Sequence, residues 1–100
     1  MIDFELILGL QWDAGNAYKN KDKHGVSQVE AEEIFFNQPL LIQDDAKHSI
    51  GESRFLALGI TAGGKQLSVI FTLRVQSSLI RVVSARPMSK KEREFYEKVQ

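Results

Sequence analysis

The spacing of hydrophobic residues divides the chain into extended and helical segments. Three segments in the second half are rich in β-branched and aromatic residues and end at turn residues, which predicts strands. They cover residues 54–61, 67–74 and 79–86. A two-residue turn, Gly63-Gly64, joins the first two, so we expect an antiparallel pair with Leu56 opposite Phe71. In that register Arg54 falls on the same apolar face as Leu56.

The first half of the chain predicts two helices between two weaker strand candidates. Residues 4–10 and 40–43 are the strand candidates, and residues 14–23 have the composition of a short polar helix. Gly25 fits the left-handed position that commonly follows a helix. A second helix is predicted to start at Ser27.

Two helix starts carry a capping box, in which a serine and a glutamate three residues later each accept a hydrogen bond from the other's backbone N–H. The pairs are Ser27 with Glu30 and Ser89 with Glu92. The C-terminal helix has an apolar stripe that is predicted to pack on the sheet: Met88, Phe95, Tyr96 and Val99. These elements predict one domain over residues 1–100 of the α+β class, with two N-terminal helices, an antiparallel sheet of about four strands and one C-terminal helix.

The composition fits one globular domain and excludes some kinds of site. Of 100 residues, 43% are hydrophobic, which is enough for one core. There is no cysteine, so disulfides and thiolate metal sites are excluded. No apolar run approaches the roughly 18 residues of a membrane-spanning helix. The N-terminus carries acids where a signal peptide has bases, so we expect a cytoplasmic protein without membrane contact.

The net charge is zero, but the charges are unevenly distributed along the chain. Residues 27–53 hold six acidic residues against one lysine, whereas residues 74–100 hold seven basic residues against three acidic ones. The strand predicted over 79–86 displays Arg81 and Arg86 between valine and isoleucine residues, and a rigid strand fixes the position of a charge. Arginine binds planar anions through two parallel hydrogen bonds, so phosphate is the first ligand to consider.

The length of the last turn decides which arginines share a face of the sheet. A four-residue loop, 75–78, puts Arg81 opposite Thr72. Both then lie on the more polar face together with Arg74. A three-residue loop would turn Arg81 to the apolar face and bring Arg86 round instead, because a one-residue slip moves every side chain to the other face. We favour the four-residue loop because it avoids burying Arg81.

Several short motifs follow one another along nearly the whole chain. They are Trp12-Asp13, Asn16, Asn20, Lys23-His24-Gly25-Val26-Ser27, Ala31, Phe35, Pro39, Asp45, His48-Ser49, Glu52, Arg54-Phe55, Gly59, Thr72, Arg74, the block from Ile80 to Arg86, Glu92-Arg93 and Tyr96. In this order and spacing they resemble the BrnT toxins, which have the RelE-like ribonuclease fold. The resemblance implies a type II toxin that cleaves RNA without a metal or other cofactor and is neutralised by a ribbon-helix-helix, BrnA-like antitoxin. It also implies that DNA is contacted only through the complex with the antitoxin.

Metal-free cleavage of RNA needs a base for the 2′-hydroxyl, positive charge for the pentacovalent phosphate and a proton for the 5′-oxygen. Arg74 and Arg81 are the first candidates for phosphate stabilisation, because both lie on predicted strands. Arg54 and Arg86 are candidates for binding the substrate. All four could instead be ordinary salt-bridged arginines. Glu52 could act as the base or orient Arg54, or it could form a simple surface ion pair.

A basic block before the second helix supplies the remaining candidates. His24 belongs to the residue type that transfers protons near neutrality, and Lys23 beside it can bind the substrate. Both could instead offset the dipole in the last turn of the first helix. Asp45 and His48 lie in a loop with no helix to fix them on one face, so no metal site is expected. The alternative function is a non-catalytic module that binds nucleic acid or a protein through its cationic face.

Overall fold

The computed structural model describes most of the chain. The described residues are Ile7 and the ranges 9–12, 24–45, 51–74 and 78–99. In chain order they form β1 (Gly9–Trp12), α1 (Gln28–Glu33), a 3-10 helix (Ile34–Phe36), β2 (Leu41–Asp44), β3 (Phe55–Ile60), β4 (Gln66–Arg74), β5 (Leu79–Pro87) and α2 (Lys90–Lys98). The helix predicted over 14–23 and most of the strand predicted over 4–10 lie outside the described residues. Of the two predicted N-terminal helices, the structure therefore describes α1.

The described strands form one sheet in the order β1-β5-β4-β3-β2. The neighbours from β2 to β5 are antiparallel, as predicted. β1 pairs with β5 in parallel, so the prediction of an antiparallel sheet of about four strands is wrong: the sheet is mixed and has five strands. Turn residues in a sequence predict only the pairing of consecutive strands in hairpins. β1 is joined to β5 through the rest of the chain, so no local signal indicates this pairing.

The turn between β3 and β4 differs from the prediction and shifts the register by one residue. It is a three-residue loop that ends at Gly64, whose φ is +91°. A left-handed glycine at the end of such a loop is a common form of hairpin turn. Phe55, and not Leu56, therefore lies opposite Phe71. The predicted composition of the apolar face is wrong, because Leu56 and Arg54 lie on the other side of the sheet from Phe71.

The pairing of β4 with β5 starts as predicted and then shifts at a β-bulge. Arg81 lies opposite Thr72, which confirms the four-residue loop. Further along, the register shifts by one residue and leaves Val83 as the extra residue of β5. Beyond Val83 the side chains of β5 exchange faces. Arg86 therefore lies on the same face as Arg81, although a regular strand would place the two on opposite faces.

The two faces of the sheet differ in chemistry. The apolar face carries core residues of β3, β4 and β5: Ala57, Leu67, Val69, Phe71, Ile80, Val82 and Ala85. The opposite side, which we call the arginine face, carries Arg54, Arg74, Arg81 and Arg86. The shifted turn between β3 and β4 adds Arg54 to this face, and the bulge in β5 adds Arg86.

α1 and the 3-10 helix cover the apolar face. Ala31 and Ile34 are fully buried there, and Val26, just before α1, belongs to the same core. The packing is close at Gly59, where a Cβ would lie 2.7 Å from the Cβ of Ile34. A larger residue at position 59 would push the helical layer away from the sheet, because the nearest atom belongs to the rigid base of a side chain.

Both capping boxes predicted from the sequence are present. The Ser27 hydroxyl accepts from the N–H of Glu30 at 3.1 Å, and the Glu30 carboxylate accepts from the N–H of Ser27 at 3.0 Å. Ser89 and Glu92 make the same exchange at the start of α2, at 3.2 and 2.8 Å. Gly25 has a φ of +68°, the left-handed conformation expected at this position. These local signals therefore set where α1 and α2 begin.

α2 lies on the arginine face and covers one end of it. Tyr96 is fully buried, packs with Leu58 and donates a hydrogen bond to the carbonyl of Pro39. The predicted apolar stripe is only partly correct, because Phe95 and Val99 are 54% and 51% exposed. Phe95 and Val99 lie on the side of α2 next to Tyr96, because Tyr96 is the residue that points toward the sheet.

Replacing Gly25 with alanine is expected to lower the free energy of unfolding by about 1 kcal/mol, because a Cβ disfavours a positive φ. No atom lies within 4 Å of the added Cβ, so the loss would be conformational rather than steric. Urea unfolding measures it. Gly63→Ala is the matched control, because its φ is not positive and its Cβ would meet only Thr61 Oγ1, at 3.9 Å. Equal losses in the two variants would contradict the prediction.

Candidate functional site

The residues of the arginine face line up in rows that run across the strands. Paired residues on neighbouring strands have Cα atoms about 5 Å apart, and diagonal neighbours have them about 7–8 Å apart. Arg81 pairs with Thr72, and Arg74 pairs with Leu79. Arg74 and Arg81 are therefore diagonal neighbours. Two long side chains at this separation can bind one phosphate together.

One row has Thr72 at its centre. Arg81 lies beside it on β5, and Gln11 of β1 continues the row beyond Arg81. On the other side, continuing the β3–β4 register by one residue puts Arg54 opposite Thr72. The Arg54 carbonyl still accepts a ladder hydrogen bond, from the N–H of Asp45 at 2.9 Å. Thr72 is fully buried, and its hydroxyl makes no hydrogen bond in the part of the chain that the structure describes.

Glu52 forms an ion pair with Arg74 at the rim of the face. Nη2 of Arg74 lies 3.1 Å from Oε1 of Glu52, and the two side chains are 37% and 38% exposed. Nε of Arg74 is buried and makes no hydrogen bond within the described residues. Of the roles predicted for Glu52, the ion pair is the one that the structure contains, and Arg74 is its partner.

At the covered end of the face, Glu92 of α2 binds Arg86. Two guanidinium nitrogens of Arg86 lie 2.7 and 3.0 Å from the two carboxylate oxygens of Glu92, a bidentate geometry. The hydroxyl of Ser68 donates to the same carboxylate at 3.4 Å. Burial alone would raise the pKa of Glu92, but hydrogen bonds from Arg86 and from the N–H of Ser89 outweigh it, so this pKa lies below the ordinary value of 4.5. The hydrogen bonds to Glu92 in turn raise the pKa of Arg86.

The contacts of α2 with the arginine face are centred on one row, and Leu56 and Ile60 of the two neighbouring rows pack in the cluster of Tyr96. The residues of the central row are Arg86, Ser68, Leu58 and Leu41. The two polar members contact Glu92, and the two leucines pack in the cluster of Tyr96. Thr72 lies two rows further along and Arg74 three rows. Within the described residues, the contacts of Glu92 and Tyr96 do not extend to the rows of Thr72 and Arg74.

In the basic block before α1, His24 is separated from the arginine face. Lys23 lies outside the described residues. His24 is helical and partly buried, and it precedes Val26, which packs on the apolar face. The backbone of His24 therefore lies in the layer on the opposite side of the sheet from Arg74 and Arg81. Its catalytic role stays a prediction.

The features that sequence reasoning missed all depend on strand pairing. The sequence gives no role to Thr72, and Gln11 joins its row only because β1 pairs with β5 in parallel. Glu92 carries a clear signal as a helix cap, but its contact with Arg86 requires the bulge at Val83. A pattern of charges along one strand therefore indicates the kind of ligand without indicating which residues meet.

The described residues contain neither a group of metal ligands nor a membrane span. No three histidine, aspartate or glutamate side chains among them are arranged to hold a metal ion. Asp45 is described but His48 is not, so the pair considered for a metal site falls partly outside the described ranges. No described helix is both long enough and apolar enough to cross a membrane.

A small α+β domain with arginines gathered on one sheet face has the chemistry to bind an anionic group there. Comparison with known proteins gives the family. The sequence model of the family described as "Ribonuclease toxin, BrnT, of type II toxin-antitoxin system" matches residues 12–92. The chain therefore belongs to the BrnT family of ribonuclease toxins. Its substrate is RNA and its partner is an antitoxin, and the family predicted from the sequence motifs is confirmed.

A solved structure agrees with this assignment. The chain is similar to the 1.1 Å crystal structure of the Brucella abortus ribonuclease toxin, BrnT, with a TM-score of 0.61 and 25% sequence identity. The similarity covers 82% of this chain and 97% of that one. No curated protein sequence matches the chain. The agreement over nearly the whole of the solved chain supports the α+β class predicted from the sequence.

Glu92→Gln is expected to lower the free energy of unfolding by about 1 kcal/mol at neutral pH and to weaken its dependence on pH. The pKa of Glu92 is depressed in the folded state, so its contribution is fully present above about pH 4.5 and is lost as the pH falls below that value. Glutamine can still cap Ser89, so the variant removes mainly the charged contact with Arg86. Urea unfolding at neutral and acidic pH, with Glu94→Gln on the exposed side of α2 as control, measures the difference. An unchanged pH dependence in Glu92→Gln would show that the pair contributes nothing.

Proposed function

We propose that this chain is an endoribonuclease that cleaves RNA on its arginine face without a metal ion. The observation that carries the proposal is the convergence of Arg54, Arg74, Arg81 and Arg86 on one face of a rigid sheet. Donors on strands are already in position when charge develops on a phosphate, so little reorganisation is needed in the transition state. Membership in the BrnT family supports RNA as the source of that phosphate.

Arg74 and Arg81 are assigned the central role in the reaction, which is to stabilise the pentacovalent phosphate. The 2′-oxygen attacks the adjacent phosphorus, the bond from phosphorus to the 5′-oxygen breaks, and the products are a 2′,3′-cyclic phosphate and a 5′-hydroxyl. Negative charge accumulates on the non-bridging oxygens of the pentacovalent phosphate. Arg74 and Arg81, as diagonal neighbours, donate hydrogen bonds to those oxygens.

Proton transfer is assigned to Glu52 and His24. Glu52 accepts the proton of the 2′-hydroxyl, and the support for this role is its partly exposed carboxylate, held 3.1 Å from Arg74 at the rim of the face. His24 returns a proton to the 5′-oxygen, and the support for it is its residue type, since histidine is the side chain most often used for general acid–base catalysis. RNA would have to pass the edge of the sheet to meet both residues.

Arg54, Arg86 and Lys23 are proposed to bind the substrate around the reacting phosphate. Arg54 flanks the row of Thr72 and extends the cationic surface toward β2. Arg86 is held by Glu92 and marks the end of that surface at α2. Lys23 is assigned from the sequence alone.

Arg74→Ala and Arg81→Ala are each expected to reduce RNA cleavage about a hundredfold while the protein stays folded. Removing one preorganised donor to a developing charge typically costs about 3 kcal/mol of transition-state stabilisation. Arg74→Lys and Arg81→Lys should recover only part of the rate, because a point charge does not reproduce the planar pair of donors. Single-turnover cleavage of RNA by the purified variants, with circular dichroism to verify folding, measures the effect.

Arg93→Ala is the matched control, because Arg93 lies on α2 and donates to the carbonyl of Met88 at 2.9 Å. It should cleave at the parent rate. All rates are measured in EDTA, where a metal-independent enzyme retains its activity. Cleavage lost in EDTA and restored by Mg²⁺ or Mn²⁺ would refute metal independence. Parent rates in both Arg74→Ala and Arg81→Ala would show that the arginine face is not the active surface.

The antitoxin is proposed to be a ribbon-helix-helix, BrnA-like protein that covers the arginine face. A toxin has to be silenced in its own cell, and covering the cationic surface blocks RNA from reaching it. The segment that binds there is acidic or amphipathic, which is the chemistry complementary to Arg54, Arg74 and Arg81. DNA is then contacted only through the antitoxin part of the complex.

The affinity between toxin and antitoxin is expected to fall at least about tenfold as the salt rises from about 0.1 M to about 1 M. The Debye length shortens from about 10 Å to about 3 Å over this range, which screens charges at the rim of an interface. Titration calorimetry with the ribbon-helix-helix protein encoded next to the toxin measures it. Equal affinity at both salt concentrations would indicate a chiefly apolar interface away from the arginine face.

The alternative is a non-catalytic module that uses the same face to hold nucleic acid or a protein. The arginines alone fit both functions, and membership in a ribonuclease family favours the enzyme. Turnover separates them: an enzyme shortens RNA with time, whereas a binding module only retards it on a gel.

A further inference from the structure

Thr72 presents a buried hydroxyl without a partner at the centre of the arginine face. Its side chain is 0% exposed, and Oγ1 makes no hydrogen bond within the described ranges. Buried hydroxyls in folded proteins nearly always have a partner, so an exception needs an explanation. The other buried hydroxyls here follow that rule. Oγ1 of Thr61 accepts from the N–H of Lys65 at 3.0 Å, and Oγ of Ser68 donates to Glu92 at 3.4 Å.

The neighbours of Thr72 are those of an anion site. Arg81 lies directly opposite on β5, and the β3–β4 register, continued by one residue beyond Phe55, brings Arg54 opposite on the β3 side. Arg74 is two residues further along β4 on the same face, with its Cα about 7 Å away. Nε of Arg74 is itself a buried donor with no hydrogen-bond partner among the described residues. Two unpaired donors at this spacing suit a group with several acceptor oxygens.

We propose that Thr72 is a substrate-contact residue, whose hydroxyl donates a hydrogen bond to a phosphate oxygen of RNA held by Arg74 and Arg81. The inference rests on the proposed function of the arginine face. It places Thr72 at the base of that site. Because Thr72 is fully buried, the proposal requires the flexible side chains of the neighbouring arginines to move outward when the phosphate enters. Their guanidinium groups then bind the phosphate from above while the hydroxyl binds it from below.

If Thr72 had only a structural role, removing its hydroxyl would lower the stability of the fold and leave RNA binding unaffected. Threonine suits a strand because its side chain is β-branched, and valine has the same shape without the hydroxyl. Removing a buried hydroxyl that has no partner is neutral or stabilising for the fold. A variant that keeps or gains stability while it loses RNA binding therefore marks a hydroxyl retained for the ligand.

Thr72→Val is expected to lower kcat/KM for RNA cleavage about tenfold, the typical loss of one hydrogen bond to a charged group. Its thermal midpoint should be equal to that of the parent or higher. Thr72→Ser keeps the hydroxyl and should cleave within about threefold of the parent rate. Thr61→Val is the matched control: it removes a buried hydroxyl that has a partner in the β3–β4 turn, so it should lower the thermal midpoint and leave kcat/KM unchanged.

Binding of a 2′-O-methyl oligoribonucleotide, followed by fluorescence anisotropy, separates this inference from the proposed function. The probe keeps the phosphates but lacks the 2′-hydroxyl, so it binds without being cleaved. Thr72→Val should weaken its binding about tenfold. Parent-like affinity in Thr72→Val overturns the inference, even where Arg74→Ala and Arg81→Ala abolish cleavage. Weakened affinity supports it, even where those arginine variants cleave at the parent rate and the proposed active surface is refuted.

Discussion

The bulge at Val83 is the constraint on which the chemistry of the sheet depends. In a regular strand, Arg81 and Arg86 would point to opposite faces, and one of them would enter the core. An arginine buried there without a partner would cost several kcal/mol, a large part of the stability of a domain this small. The extra residue removes the conflict, because Ile80 and Val82 on one side of the bulge and Ala85 on the other all reach the apolar face.

Gathering four arginines on one face has an electrostatic cost that shapes the rest of the site. Two guanidinium groups about 7 Å apart repel by about 2 kcal/mol at an effective dielectric constant of about 20. Two carboxylates offset this repulsion at opposite ends of the face: Glu52 pairs with Arg74, and Glu92 pairs with Arg86. Four cations gathered on one face thus favour an anionic ligand there.

The features predicted correctly from the sequence are those with a local cause. Both capping boxes and the positive φ of Gly25 follow from residues within one turn of each other, and they are present as expected. Two tandem glycines are compatible with more than one type of turn. The observed β3–β4 register therefore differs by one residue from the predicted one, and Arg54 falls on the other face of the sheet. The bulge and the parallel pairing of β1 have no short-range signature. Arg74, Arg81 and Thr72 were therefore placed on one face correctly, whereas the pairing of Glu52 with Arg74, in place of the Arg54 considered from the sequence, came only from the fold.

The two ion pairs at the ends of the arginine face differ in how readily they release their arginine. Glu92 binds Arg86 through both oxygens, receives the hydroxyl of Ser68 and caps α2, so a substrate that displaced it would also weaken the start of a helix. Glu52 makes one contact with Arg74, precedes β3 outside any helix or strand and is twice as exposed as Glu92. An exposed pair of this kind is worth little, about 1 kcal/mol or less, and a phosphate can replace it. If RNA binds the arginine face as proposed, it enters at the end that carries Arg74, and the end held by α2 limits how far along the face it extends.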